Sequence, residues 1–110
     1  MGLPAAGNVI ILPFPFSDLS QHKVRPAVCL ADAGRDDRIF CQITSNPYGD
    51  SSAVLIDDTD LQSGSFRAAS YARPAKLFTA DVTLVKGVIG NLTEDALRRL
   101  IDRVIAVFRP

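Results

Sequence analysis

Short apolar runs occupy most of the chain, and at its end apolar residues recur with a period near 3.6. The first part consists of short β-branched and apolar runs, separated by clusters of Gly, Pro, Asn and Asp. Such runs predict strands and such clusters predict turns. The predicted strands cover 8–12, 24–31, 38–45, 53–57, 70–80 and 84–90. Pro13 and Pro15 follow the first run, so we expect this strand to end near Leu12.

The last residues predict an amphipathic helix. Apolar side chains recur there at helical spacing, at Leu97, Leu100, Ile101, Val104, Ile105 and Phe108. Thr93 is a suitable N-cap, and Glu94 and Asp95 complement the helix dipole. The predicted fold is therefore mainly β, a small and strongly bent antiparallel sheet or barrel with a C-terminal helix packed on it.

The strands at 24–31 and 38–45 are joined by a short turn and should pair as a hairpin. Directly opposed residues share a face of a sheet, and this condition sets Val28 opposite Cys41 and Arg25 opposite Thr44. Arg25 and Thr44 then lie side by side on the face away from the core, at the end of the hairpin far from its turn. Cys29 and Cys41 fall on opposite faces, which argues against a disulfide.

The composition indicates one globular domain, residues 1–110, with a formal net charge of zero. A net charge of zero disfavours a protein that binds nucleic acid over its whole surface, but it is compatible with a local basic patch. The sequence predicts no membrane span and no signal peptide. The two cysteines lack zinc-ligand spacing and are interpreted as reduced cytosolic thiols.

An arginine beside a hydroxyl on an exposed strand face fits a phosphate site, because guanidinium is a permanent planar cation and the hydroxyl adds a donor. The alternative is a surface arginine that pairs with a carboxylate. Arg67, Arg73 and Lys76 could extend the positive charge into a strip with Lys23 and Arg25, and Tyr71 could stack on a base. Alternatively, Tyr71 and Phe78 are core residues and the cations are only solvated.

Four segments in a fixed order, GNVIILPFPFSDLSQHKVRPAVCL, QITSN, SYARPAKLFTAD and VIGNLTEDALRRL, resemble the MazF/PemK family of toxins from bacterial toxin–antitoxin pairs. The resemblance implies an SH3-like β-barrel with a C-terminal helix. It also implies a homodimer, for which Phe14 and Phe16 could supply exposed apolar surface. The family's catalytic Arg and Thr correspond to Arg25 and Thr44.

By the same resemblance, we expect a cytoplasmic endoribonuclease that cuts single-stranded RNA without metal or cofactor and that binds a cognate antitoxin. The nucleophile would be the 2′-hydroxyl of the RNA, with Arg25 as electrostatic stabiliser and Thr44 as hydrogen-bond donor. The expected RNA-binding residues are Ser17, Asp18, His22, Lys23, Ser45, Arg73 and Lys76. The loops 17–23 and 46–52 flank the open end of the hairpin and are the best candidates for base readout. His22, the only histidine, is either the general base or a solvated loop residue.

Two other functions are compatible with the predicted fold. One is a CcdB-like gyrase poison, but the helix ends in VIAVFRP and the chain has no Trp, unlike the ending associated with that family. The other is a barrel that binds a partner without catalysis, against which the presence of both Arg25 and Thr44 counts.

Overall fold

Seven strands and one helix make up the fold in residues 4–13 and 24–110, which are the parts of the chain that this computed structural model describes. The elements are β1 (Asn8–Pro13), β2 (Val24–Gly34), β3 (Asp37–Thr44), β4 (Val54–Ile56), β5 (Leu61–Gly64), β6 (Ser70–Asp81), β7 (Gly87–Leu92) and α1 (Glu94–Phe108). Short 3-10 turns at Asp58–Asp60 and Val82–Leu84 precede β5 and β7.

The strands form one sheet in the order β4-β6-β3-β2-β1-β7-β5, and every pairing is antiparallel. The edge strands β4 and β5 are consecutive in the chain, and only residues 57–60 separate them. Such a short connection keeps the two edges close together. The sheet therefore curls into a half-barrel, which confirms the predicted fold class.

Both faces of the curled sheet carry buried apolar residues. One face carries Val9, Val28, Cys41 and Ile43, and it packs against Leu100 of α1. The other face carries a second apolar cluster, formed by Ile10, Leu12, Ala27, Cys29, Phe40 and Phe78. The expectation that the Arg25 face of the hairpin lies away from any core is thus wrong for Ala27 and Cys29, which have no exposed surface.

The helix begins as the sequence predicts, with Thr93 Oγ1 accepting a hydrogen bond from Ala96 N at 3.1 Å. Its first turns pack on the sheet, where Ala96 and Leu100 are buried. Ile101 and Val104 also pack against the core, whereas Ile105 and Phe108 are 48% and 73% exposed. In the part of the chain that the structure describes, no helix has the length and apolar character needed to cross a membrane.

The hairpin register agrees with the prediction at its centre, where Val28 pairs with Cys41 and Ala27 with Gln42. Irregularities shift the pairing nearer the turn, so that Gly34 pairs with Asp37. The positive φ angles of Gly34 and Arg35 allow this tight connection. The strands are therefore longer at the turn than the sequence pattern indicated.

Candidate active site

Arg25 and Thr44 lie at the open end of the β2–β3 hairpin. Ala27 pairs with Gln42, and continuing this register by two residues sets Arg25 opposite Thr44. On its other side Arg25 pairs with Leu12 of β1, while Thr44 pairs with Tyr71 of β6. Both residues therefore belong to regular backbone, which fixes their positions at the end of the sheet.

Arg25 and Thr44 border the same cleft, which has a volume of about 710 Å³. Its buried and half-buried lining is largely apolar, with Pro26, Ile43, Phe66 and Ile89. Its exposed lining is largely polar, with Arg25, Ser45, Ser65 and Arg67. The cleft thus combines an apolar floor with a rim of cations and hydroxyls.

The Thr44 hydroxyl is engaged by the backbone of the loop that follows β3. Its Oγ1 donates to Asn46 O at 3.1 Å and accepts from Asn46 N at 3.2 Å. A hydroxyl has a single proton to donate. To donate to a ligand in the cleft, Thr44 must therefore turn its O–H away from Asn46 O while its oxygen can still accept from Asn46 N.

Side-chain hydrogen bonds shape the rest of this loop. Asn46 Oδ1 accepts from Tyr48 N at 3.0 Å, and the Asp50 carboxylate accepts from the Ser52 hydroxyl at 2.6 Å. Arg73 Nε donates to Asp50 Oδ2 at 2.8 Å. The bonds from Ser52, followed by that from Arg73, lower the pKa of Asp50 to about 2. These contacts attach the loop beside Thr44 to strand β6.

The two arginines of the cleft rim carry charge that no described carboxylate neutralises. Ion pairs in the described residues involve Arg38, Arg73 and Arg99, but neither Arg25 nor Arg67. Both are exposed. The rim is therefore a locally positive surface on a chain of zero formal net charge, suited to an anionic ligand.

Neither cysteine suits nucleophilic chemistry. Cys29 and Cys41 are buried and free, each in a different apolar cluster. Burial raises the pKa of Cys29, and it raises the pKa of Cys41 to about 12. The Cys41 thiol instead donates to Arg73 O at 3.2 Å.

In residues 4–13 and 24–110, no group of three or more His, Cys, Asp or Glu side chains is arranged to hold a metal ion.

A family model described as PemK-like, MazF-like toxin of type II toxin–antitoxin system matches residues 5–108. The chain belongs to this toxin family. The resemblance drawn from the sequence segments is thereby confirmed. A search of curated proteins found no match.

Solved structures share the fold of this toxin. MazF from Deinococcus radiodurans is 17% identical, and the alignment covers 100% of both chains with a TM-score of 0.76. An endoribonuclease from a mycobacterial species, solved in complex with its cognate antitoxin, is 11% identical, with 96% and 94% coverage and a TM-score of 0.73. The Mycobacterium tuberculosis toxin MazF-mt6 is 17% identical, with 93% and 96% coverage and a TM-score of 0.71.

The residues expected to bind RNA in this toxin occupy three kinds of position. Ser45 lines the cleft with Arg25 and Thr44. Arg73 and Lys76 lie on β6 and are not part of the cleft lining, and Arg73 is paired with Asp50. The remaining expected residues, Ser17, Asp18, His22 and Lys23, lie outside the described residues, as do Phe14 and Phe16.

The sequence pattern did not single out Phe66, Ser65 or Ser70, which also line the cleft. Ser65 and Phe66 belong to the run SGSFRAA, residues 63–69, whose small and polar residues indicated only a connection, and Ser70 begins the predicted strand 70–80. Arg67 of this run was included in the basic strip, and it does share the cleft with Arg25. An aromatic residue next to an arginine in an otherwise small-residue loop is the signal that could have drawn attention to Phe66.

Proposed function

We propose that this toxin is a sequence-selective endoribonuclease that cuts single-stranded RNA without a metal ion. The observation that carries the proposal is the placement of Arg25 and Thr44 on the rim of one cleft, with no described carboxylate paired to Arg25. The names of the structural relatives, two of which are called endoribonucleases, support the same activity.

The proposed reaction uses the substrate's own nucleophile. The 2′-hydroxyl attacks the adjacent phosphorus and gives up its proton to a base, while the bond from phosphorus to the 5′-oxygen breaks and that oxygen takes up a proton. Arg25 stabilises the negative charge that builds on the phosphoryl oxygens, because its guanidinium keeps its positive charge. Thr44 donates a hydrogen bond to one of those oxygens once its O–H turns away from Asn46 O.

The products of cutting test this mechanism. Attack by the 2′-hydroxyl leaves a 2′,3′-cyclic phosphate and a 5′-hydroxyl, and EDTA has no effect on the rate. Replacing the ribose at the cut position with deoxyribose abolishes cutting and leaves binding largely intact. Products with a 5′-phosphate, or loss of activity in EDTA, would refute the mechanism.

Variants at Arg25 and His22 test the residue roles. Arg25→Ala should slow cutting by about 10²–10³ or more, because a preorganised stabiliser of the transition-state charge is lost. The exposed helix variant Arg103→Ala is the matched control and should cut normally. His22→Ala either loses the acidic limb of the pH–rate profile, as expected of a general base, or retains near-normal activity, as expected of a loop residue. Cutting by Arg25→Ala at the wild-type rate would overturn the site assignment and leave a gyrase poison or a binding protein as the function.

The proposal includes a cytoplasmic homodimer and an antitoxin that covers the cleft. Exposed apolar residues such as Val88, Ile105 and Phe108 support self-association. Solved complexes of related toxins with their antitoxins support the second partner. A disordered acidic segment would suit the rim formed by Arg25 and Arg67. Light scattering that detects only monomer would contradict the homodimer. Undiminished RNA cutting in a saturated antitoxin complex would contradict an antitoxin that covers the cleft.

A further inference from the structure

The connection between β5 and β6, residues 65–69, forms a wall of the cleft, since residues 65–68 line it together with the open end of the β2–β3 hairpin. Its start is fixed by Gly64, whose φ is +88° and whose position leaves no room for a Cβ, which would lie 2.1 Å from Ile89 O. Its end is fixed by Ser70, which is buried and donates from Oγ to Ala68 O at 3.0 Å. The wall is therefore a defined part of the site.

Two neighbouring residues of this wall differ sharply in character. Phe66 is half-buried, packs against the main apolar cluster and contributes to the cleft floor. Arg67 is exposed and forms no ion pair with any described residue. Asp57 and Asp58 line an adjacent depression together with Arg67, yet neither is paired with it. The wall thus presents an aromatic ring beside an available cation.

We propose that Phe66 and Arg67 form a second nucleotide subsite, which binds the residue of the RNA next to the cut position. This inference rests on the proposed function for the identity of the ligand. Arg25 and Arg67 are both exposed residues of one cleft whose buried and half-buried lining is largely apolar. A strand that crosses the cleft places one phosphate at Arg25 and another at Arg67.

The base of the nucleotide between these phosphates contacts the floor. Phe66 provides the aromatic surface, and Ile43 and Ile89 complete it. Only an unpaired base can be turned into such a floor, since a duplex keeps its bases stacked inside. The subsite therefore selects single-stranded nucleic acid, and the exposed hydroxyls of Ser45 and Ser65 can bind the base edge or the sugar.

The test is a binding measurement that does not depend on catalysis. The probe is a fluorescein-labelled oligonucleotide that carries the mapped cutting site with deoxyribose at the cut position; a random-sequence single-stranded DNA replaces it if no RNA is cut. Fluorescence anisotropy then gives Kd for wild type, Arg67→Gln, Phe66→Leu and the control Arg103→Gln over a range of salt concentrations. Phe66→Leu keeps the apolar bulk of the floor and removes the ring.

We expect Arg67→Gln to weaken binding about tenfold and to reduce the slope of log K against log salt by about 0.7, the value for one phosphate contact on a single strand. Phe66→Leu should weaken binding on the order of tenfold, with an unchanged salt slope. Arg103→Gln should match wild type. In the cleavage assay Arg67→Gln should raise KM and leave kcat unchanged.

Two results would overturn the subsite while leaving the proposed function intact. One is that Arg67→Gln and Phe66→Leu bind the oligonucleotide with the wild-type Kd, while Arg25→Ala no longer cuts RNA. The other is an equal loss in Arg67→Gln and Arg103→Gln, which would show a general charge effect. A wild-type protein that neither cuts RNA nor binds the single-stranded probe would refute the subsite and the proposed function together.

Discussion

Arg73 donates from Nε to the Asp50 carboxylate at 2.8 Å, and this pair ties the loop after Thr44 to strand β6. Both side chains are largely buried, with 23% and 13% of their surface exposed. The Arg73 carbonyl also accepts from the Cys41 thiol. Arg73 therefore has a structural partner on each side, and its charge shapes the loop rather than adding to the positive rim of the cleft.

The Asp50 carboxylate makes part of the stability depend on acid pH. Its pKa falls from 3.8 to about 2 on folding, so the carboxylate stabilises the folded protein above the higher value. This contribution is lost as the pH falls through the lower value. We expect the difference in free energy of unfolding between wild type and Asp50→Asn, measured by urea denaturation, to be constant above about pH 5 and to shrink towards zero near about pH 2. The exposed Asp102→Asn is the control, and a difference that is independent of pH would contradict the prediction.

Thr44 serves both the proposed chemistry and the adjoining loop, and two substitutions separate these roles. Thr44→Ser keeps an oxygen that can bond to both Asn46 N and Asn46 O, so it should retain most of the cutting rate. Thr44→Val has nearly the same shape but no hydroxyl, and we expect its kcat to fall at least about tenfold, the change that corresponds to one lost hydrogen bond in the transition state. Equal activity of the two variants would show that the hydroxyl does not take part.

Gly64 and Gly34 allow a comparison of the stability cost of a Cβ at a crowded position and at an open one. Both have positive φ, but a Cβ at Gly34 would meet nothing within 4 Å, whereas one at Gly64 would lie 2.5 Å from Gly90 Cα. Gly34→Ala should cost about 1–2 kcal/mol through backbone strain alone. Gly64→Ala adds a clash between β5 and β7 and should cost about 2–5 kcal/mol. Similar thermal unfolding of the two variants would show that the two strands separate easily.

The thiols should react only when the protein unfolds. Burial raises the pKa of both cysteines, and the thiolate is the reactive form. We expect little reaction of the native protein with a thiol reagent at neutral pH and two equivalents after denaturation in urea. Rapid modification of the native protein would show that strands β2 and β3 open readily in solution.

The sequence patterns predicted the central strands and the helix well, since β1 to β3 are long apolar runs and Thr93 is a clear cap. They failed at β5, whose polar and glycine residues have weak strand preference and form a strand only because β7 pairs with them. The second buried face was also missed. Val9 and Ile10 in β1, like Val28 and Cys29 in β2, are consecutive apolar residues, and this is the pattern of a strand that is covered on both sides.

The candidate site was predictable where it depends on pairing and not where it depends on loops. The pairing of Val28 with Cys41 fixes the register of the hairpin, and that register places Arg25 opposite Thr44. Phe66 and Arg67 lie in the connection between β5 and β6, two strands that are far apart in the sheet. No local sequence pattern predicts that this connection lines the same cleft as Arg25. The role of Arg73 in RNA binding stays a prediction, drawn from the charge that is visible in the sequence. Its pairing with Asp50 could not be predicted, because Asp50 becomes its neighbour only after folding.

Residues 57–60, which join the two edge strands, act as a spacer that sets the diameter of the half-barrel. Arg99 of the helix holds this spacer through a 2.7 Å contact with Asp60. Lengthening the spacer would let the sheet edges move apart and carry the wall at 65–69 away from Arg25. The width of the cleft between Arg25 and the wall therefore depends on the length of one short connection that does not itself line the cleft.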